Sequence, residues 1–351
     1  MEYEDEYVVG FEHEFKGGVI LSARYVDRRL RRIVEDMSGI SPEAFNAGVN
    51  QVYLIGNVNK STDIFVNPLE VPFSPTFSGG NITNIPSQCD PTTAVTVEDT
   101  FGNTVAPGAV CFGALGQAGL TNVLPGDAFP DGIPDGFPDP IRNYQAVEIE
   151  VNKGFSKNWQ MRANWRIARL FGNFEGAFRN DNGQTDPSIS SLFDFVQGNF
   201  GLLGDQFKPG HLNTDRRHVV NIYTSYVVDR SKLKGLTLGT GVRIDTGTPI
   251  SQFVAHPAYL NSGEVPLNGR GSLGVLPVTG SVDIHVDYPW AIKERWKLRF
   301  GMDLFNVGNS KRLTGTDQNL DSSFGTRNTD FQKPTAFFRP FNARAMVRLE
   351  F

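Results

Sequence analysis

The chain has 351 residues, with 33 Lys and Arg against 38 Asp and Glu and a formal net charge of −5, which leaves no basic footprint for nucleic acid. Thirty-seven glycines and twenty-seven phenylalanines accompany a mean hydropathy of −0.27. No apolar run approaches the roughly 18 residues of a membrane-spanning helix. The length suits one large domain or two ordinary ones.

From the first residues the apolar positions recur with period two. In residues 6–15 Tyr7, Val9, Phe11 and Phe15 alternate with Glu6, Gly10, Glu12 and Glu14, and Lys16-Gly17-Gly18 then reads as a turn. Residues 19–28 alternate in the same way through Val19, Leu21, Ala23 and Tyr25. The arginines at 28, 29, 31 and 32 predict either a short amphipathic helix or a strand projecting beyond a membrane. They are candidates for an anionic lipid or substrate, or for a solvated strand end. The opening MEYEDEYVVGFEHEF lacks the basic, apolar and small-residue regions of a signal peptide, so an exported protein of this kind is expected to be mature or a fragment.

Periodicity fades over 40–143 and resumes with Val147, Ile149 and Val151 against Glu148, Glu150 and Asn152. A turn at Ser156-Lys157-Asn158 leads to Trp159, Met161, Ala163, Trp165 and Ile167. After a second aperiodic stretch, 171–214, come Val220, Ile222, Thr224 and Tyr226, then Leu236, Leu238, Thr240, Val242 and Ile244. Beyond 247–280 the strands are Val282, Ile284, Val286, Tyr288 and Trp290, a turn at Lys293-Glu294-Arg295, and Trp296, Leu298, Phe300, Met302 and Leu304. After 307–336 the final strand sets Phe341, Ala343, Ala345, Val347, Leu349 and Phe351 against Asn342, Arg344, Arg348 and Glu350, and only Met346 breaks the alternation.

The pattern predicts an all-β chain of about nine antiparallel strands, with short and long connections alternating. Strands of about 9–11 tilted residues span a hydrocarbon layer, with one face to lipid and one to a polar lumen. Short turns are expected in the periplasm and the long stretches outside. Trp159, Tyr288, Trp290 and Trp296 gather at the short-turn ends, where an interfacial aromatic girdle belongs. The many inward charges argue against a packed soluble core. An odd strand count does not close with every neighbour antiparallel, so a segment of a larger barrel is expected, with two edges awaiting partners.

The segments NYQAVEIEVNKGFSKNWQMRANW (143–165), FEGAFRNDNGQTDPSISSLFDF (174–195), GDQFKPGHLNTDRRHVVNIYTSYV (204–227), GLTLGTGVRIDTGTPIS (235–251), RFGMDLFNVGNS (299–310) and RAMVRLEF (344–351) carry a resemblance. In their order and spacing the chain resembles the C-terminal barrel part of TonB-dependent outer-membrane receptors, and among them the Oar-like subgroup that often bears a carboxypeptidase-regulatory-like domain. The resemblance implies an approximately 22-stranded barrel in the cell outer membrane, a plug domain inside it that is not recognisable here, and pairing with TonB. It implies energised uptake of an unidentified ligand bound at the outer loops. A C-terminal aromatic such as Phe351 is, in such families, read by the barrel assembly machinery. A passive porin-like channel and a surface-interaction or adhesion protein are the alternatives.

Against that frame Glu148, Glu150, Arg162, Arg166, Arg243, Asp245, Lys297 and Arg299 are expected to face the plug or the permeation path. Asp283, His285 and Asp287 share a strand face and could suggest acid–base chemistry or a metal, but at ~7 Å apart they read as lumen lining. Asp127, Asp131, Asp135 and Asp139 recur every four residues and suggest either a structural calcium ion or a solvated acidic turn. Cys89 and Cys111 are candidates for a loop-closing disulfide or remain unpaired. Residues 269–274, GRGSLG, fit a dinucleotide fingerprint literally but lack its strand-to-helix context. No nucleophile elbow, paired-Cys motif or HExxH sequence occurs, and no enzymatic activity or cofactor is expected.

Overall fold

The structure, a computed structural model, describes residues 2–38, 53–58, 97–98, 104–106, 138–179, 181–183, 187, 190–195, 201–293 and 296–351. Its main element is one antiparallel sheet whose nine long strands pair in chain order. They are β1 (Tyr3–Phe15), β2 (Val19–Arg31), β3 (Arg142–Ser156), β4 (Trp159–Gly172) and β5 (His218–Val227), followed by β6 (Thr237–Asp245), β7 (Thr279–Lys293), β8 (Trp296–Phe305) and β9 (Asn342–Glu350). A short strand, Gly210–His211, extends the sheet beside the end of β4. Among the described residues no helix is long and apolar enough to cross a membrane.

Register sorts the side chains into two faces. Phe11, Ala23, Ile149, Trp165, Val220, Ile244 and Gly280 are opposed strand by strand, an apolar row from β1 to β7. The adjacent row on the other face reads Gly10, Arg24, Glu148, Arg166, Val219, Asp245 and Thr279. A one-residue slip would exchange these rows, so the pattern itself holds the register. The apolar face lies open along its whole width, with Val9 73%, Phe11 60% and Val347 63% exposed. A continuous apolar surface of that extent is one that a membrane or another protein surface covers. Met346, the residue that breaks the alternation of β9, sits on the polar face opposite Gly301, where the missing side chain leaves room for its thioether.

All the short connections lie at one end of the sheet. Phe15 pairs with Val19 around Gly17 and Gly18, whose φ values of 92° and 73° suit glycine. Lys157 and Asn158 close β3 onto β4 with φ of 50° and 68°, the two positive values of a type I′ hairpin. At the opposite end the first hairpin runs on as strand to Arg31, so the stretch predicted as helix or projecting strand takes the second form. Beyond Tyr25 its outward face turns ionic, with Arg29 on Asp27 at 2.9 Å and Arg31 on Asp5 at 3.2 Å. Arg32 lies over the Tyr3 ring at 5.6 Å.

The long connections differ from the aperiodic loops that the sequence suggests. Val34–Ser38 pairs with Tyr53–Asn57, Gln252–Val254 with Val265–Leu267, and Leu313–Thr316 with Pro334–Phe337. Ile33, Phe174, Leu192, Phe193, Phe195, Phe207, Leu212 and Phe253 are buried there as a second core. These residues come from connections far apart in the chain and share no period, so nothing local announces them.

Candidate functional site

A cavity of about 1190 Å³ lies against the polar face, and Glu148, Glu150, Arg162, Arg166 and Arg243 are among its lining. The register sets which charges meet. Arg24 of β2 donates from Nε to Glu148 at 2.5 Å, and Arg162 of β4 reaches Glu150 of β3 at 3.2 Å. Arg243 holds Asp245, two residues on along β6, at 2.7 Å. Pairs of this kind, open to solvent, contribute up to about 1 kcal/mol each and chiefly set a charge pattern.

The β7–β9 side of the same face carries two larger networks. His285 Nδ1 lies 2.6 Å from Asp303 of β8, which also accepts from Arg344 of β9 at 2.6 Å. Arg299 of β8 bridges Asp287 of β7 at 2.7 Å and Glu350 of β9 at 3.1 Å. Asp283 accepts from the Asn306 backbone N–H at 2.7 Å and so fixes the exit from β8. Asp283, His285 and Asp287 thus serve three separate partners and form no joint site. Lys297, opposite Glu350 in register, and Arg166 have no carboxylate within 4.0 Å among the described residues. Asp303, Arg344 and Glu350, which link the strands here, are alternation partners whose role the sequence leaves unassigned.

On the apolar face Trp159, Tyr288, Trp290 and Trp296 all fall near the short-turn end. Lys153 Nζ lies 4.3 Å over the Trp159 ring and donates to the Ser156 carbonyl at 3.1 Å, closing that hairpin. The Tyr288 hydroxyl donates to the Lys232 carbonyl at 3.2 Å. Trp290 packs on Phe300 at 6.2 Å, and Trp296 on Phe351 at 5.9 Å. Cys89, Cys111, Asp127, Asp131 and Asp135 lie outside the described residues. Asp139 accepts from Asn173 through its backbone carbonyl at 3.1 Å. Among the described residues no group of three or more His, Cys, Asp or Glu side chains is placed to hold a metal ion.

The long connections carry a buried ionic core of their own. Arg270 forks onto Glu175 through Nε and Nη2 and donates Nη1 to the Gln206 carbonyl. Arg179 holds Asp181 at 3.1 Å and Glu264 at 3.0 Å. The fingerprint-like 269–274 serves this core. Gly269 and Gly271 adopt φ of 86° and 70° on either side of Arg270, and Gly210 leaves space for the Arg270 carbonyl. Nearby, the Ser190 N–H donates to Glu35 at 3.0 Å and the Tyr259 hydroxyl to Asp194 at 2.6 Å.

Burial dominates the titration of these groups. It pushes Glu35 up to about 8 against the Ser190 hydrogen bond, and Asp36, Asp194 and Glu2 add repulsion. It pushes Asp194 up to about 7 against the Tyr259 hydrogen bond. It drives His256 down to about 4, and Arg179 adds to that. A carboxyl that titrates higher folded than unfolded stabilises fully below its ordinary value, 4.5 for Glu or 3.8 for Asp, and loses that contribution as pH rises through 7 and 8. His256 works oppositely: its contribution is present above 6.5 and is lost as pH falls through 4. Protection of the amides at residues 190–195 and 256–260 in the full-length protein, with the intrinsic base-catalysed exchange rate divided out, should therefore fall along an alkaline limb from about pH 6.5 to pH 9. Glu35→Gln should flatten the alkaline limb; an unchanged limb would refute the assignment to Glu35.

A nine-strand antiparallel sheet, apolar and open on one face and ionic on the other, is a segment of a transmembrane β-barrel wall. No family model matches the chain. Over 179 residues, 51% of this chain, it is 32% identical to the TonB-dependent transporter Oar of Myxococcus xanthus. That similarity falls in the class whose motifs the chain resembles. The chain spans 16% of that relative's length. Two solved structures are similar over nearly all of it. The pyoverdine outer-membrane receptor FpvA of Pseudomonas aeruginosa, bound to pyoverdine, is 11% identical with a TM-score of 0.41; this chain is covered fully and that one by 30%. The ferric-catecholate import receptor Fiu of E. coli K12 is 7% identical with a TM-score of 0.40, covered 99% and 27%.

Proposed function

We propose that the chain supplies wall, lumen lining and outer loops to a TonB-dependent transporter of the outer membrane, which takes up a ligand bound on the loop side under TonB control. The observation that carries this is the coexistence of an open apolar face with an ionic face of linked pairs in a relative of Oar. The apolar face meets lipid, and the short-turn aromatics lie at the inner interface. On the other face, the charges Glu148, Glu150, Arg162, Arg166, Arg243, Asp245, Lys297 and Arg299 meet a plug domain and the permeation path. Hydrogen-bonded charges suit that role, since they hold a polar domain yet release it at modest cost.

The test compares growth of wild-type, receptor-deleted and TonB-deleted cells across an array of sole nutrient sources. Growth on at least one source should fail in both deletions. Failure in the receptor deletion alone would overturn energised uptake in favour of a passive channel, and unaffected growth would favour a surface-binding role.

A further inference from the structure

Where the long connections leave the sheet, a second cavity of about 440 Å³ opens on the ionic face, adjoining the larger one and sharing Val8, Arg24, Glu148 and Arg166 with it. Five arginines line it, Arg24, Arg28, Arg142, Arg166 and Arg216, together with four carboxylates, Glu4, Glu6, Glu148 and Asp215. The carboxylates are all engaged. Glu148 takes Arg24 at 2.5 Å, and Glu6 and Glu4 take Arg28 at 2.8 and 3.8 Å. Asp215 accepts from the Leu170 N–H at 2.8 Å and lies 2.8 Å from His211 Nδ1.

That pairing leaves three arginines without a carboxylate within 4.0 Å among the described residues: Arg142, Arg166 and Arg216. Arg142 donates Nε to the Glu175 carbonyl at 3.0 Å and Arg216 donates Nη1 to the Thr246 carbonyl at 2.8 Å. Carbonyls orient a guanidinium but do not neutralise it. Arg166 Nε is buried with no hydrogen-bond partner. A buried guanidinium donor left unmatched is costly and is ordinarily met by an anion. The guanidinium fork suits planar or tetrahedral oxyanions, which it binds through paired hydrogen bonds.

We propose that this cavity binds the oxyanion group of a small polyanionic solute, a carboxylate or a phosphate, through Arg142, Arg166 and Arg216. The proposal rests on the uptake reading, in that it names the class of ligand the ionic face admits. Within that reading the site selects anionic cargo at the loop end of the lumen, before TonB acts.

The test is calorimetric titration of the purified full-length protein with citrate and with inorganic phosphate at low ionic strength. At least one should bind saturably, more weakly as salt is raised; which one binds separates the carboxylate from the phosphate. Arg166→Gln and Arg216→Gln should each weaken that binding about tenfold, the loss of a charge-assisted hydrogen bond. Arg166→Lys, which keeps the charge without the fork, should fall between, and Arg230→Gln, at the exposed short-turn end, should match wild type. Heat-modifiable migration of each variant reports that its barrel has formed. Absence of saturable binding for both anions, or binding by a folded Arg166→Gln protein equal to wild type, would overturn the site. Calorimetry needs no TonB, so a negative result leaves the growth phenotype standing, and a negative growth result leaves the binding standing.

Discussion

Arg270→Ala should loosen the packed loop layer by about 3–5 kcal/mol, the cost of stranding a buried charge. The side chains of Arg270 and Glu175 are 1% and 2% exposed, and Arg270 is the group that neutralises Glu175. Its removal leaves Glu175 beside Asp181 with one guanidinium, Arg179, which already serves Asp181 and Glu264. It also orphans the Gln206 carbonyl. The sign of the double variant is the sharper test. Replacing both partners by apolar groups of similar volume removes the uncompensated charge, so Arg270→Met combined with Glu175→Met should be more stable than Arg270→Met alone. Amide exchange across 190–207 in the full-length protein measures both. An Arg270→Ala protein as protected as wild type would show that the network does not hold the loops together.

Val347→Arg should cost about 2–4 kcal/mol of barrel stability in a bilayer, the penalty for a charge at mid-depth on a lipid-facing strand. Val347 sits near the middle of β9, opposite Phe300 on the apolar face. Its sequence neighbour Met346 points the other way, across Gly301, so Met346→Gln should stay within about 0.5 kcal/mol. Denaturant unfolding in lipid vesicles compares the two. Equal costs at 346 and 347 would mean that β9 does not separate lipid from lumen.

The strands were legible because each carries its own signal. Val147-Glu148-Ile149-Glu150 can only lie half in and half out of an apolar medium, and Lys16-Gly17-Gly18 supplies the positive φ values that a tight turn needs. Which charges pair was less legible, because pairing depends on register between strands remote in sequence. Glu148 meets Arg24, 124 residues away, and Arg299 meets Glu350 as well as Asp287. The loop core was not legible at all. Phe193, Phe195, Phe253 and His256 are buried by contacts between connections, with no repeat along the chain to mark them. Residues 269–274 match a dinucleotide fingerprint in letters alone, and in the fold the glycines on either side let Arg270 enter a packed interior.

One face of this sheet meets lipid and the other an aqueous lumen in the proposed arrangement. Its most direct test is reagent accessibility along β9 in the full-length protein in native outer membrane, with Cys89→Ser and Cys111→Ser removing background. Single cysteines placed in turn at Ala343, Arg344, Ala345, Met346, Val347 and Arg348 are challenged with a membrane-impermeant thiol reagent and with a lipid-soluble quencher. Strict alternation is expected: positions 344, 346 and 348 react in water, and 343, 345 and 347 respond only to the quencher. Uniform labelling by the aqueous reagent along all six positions would contradict it.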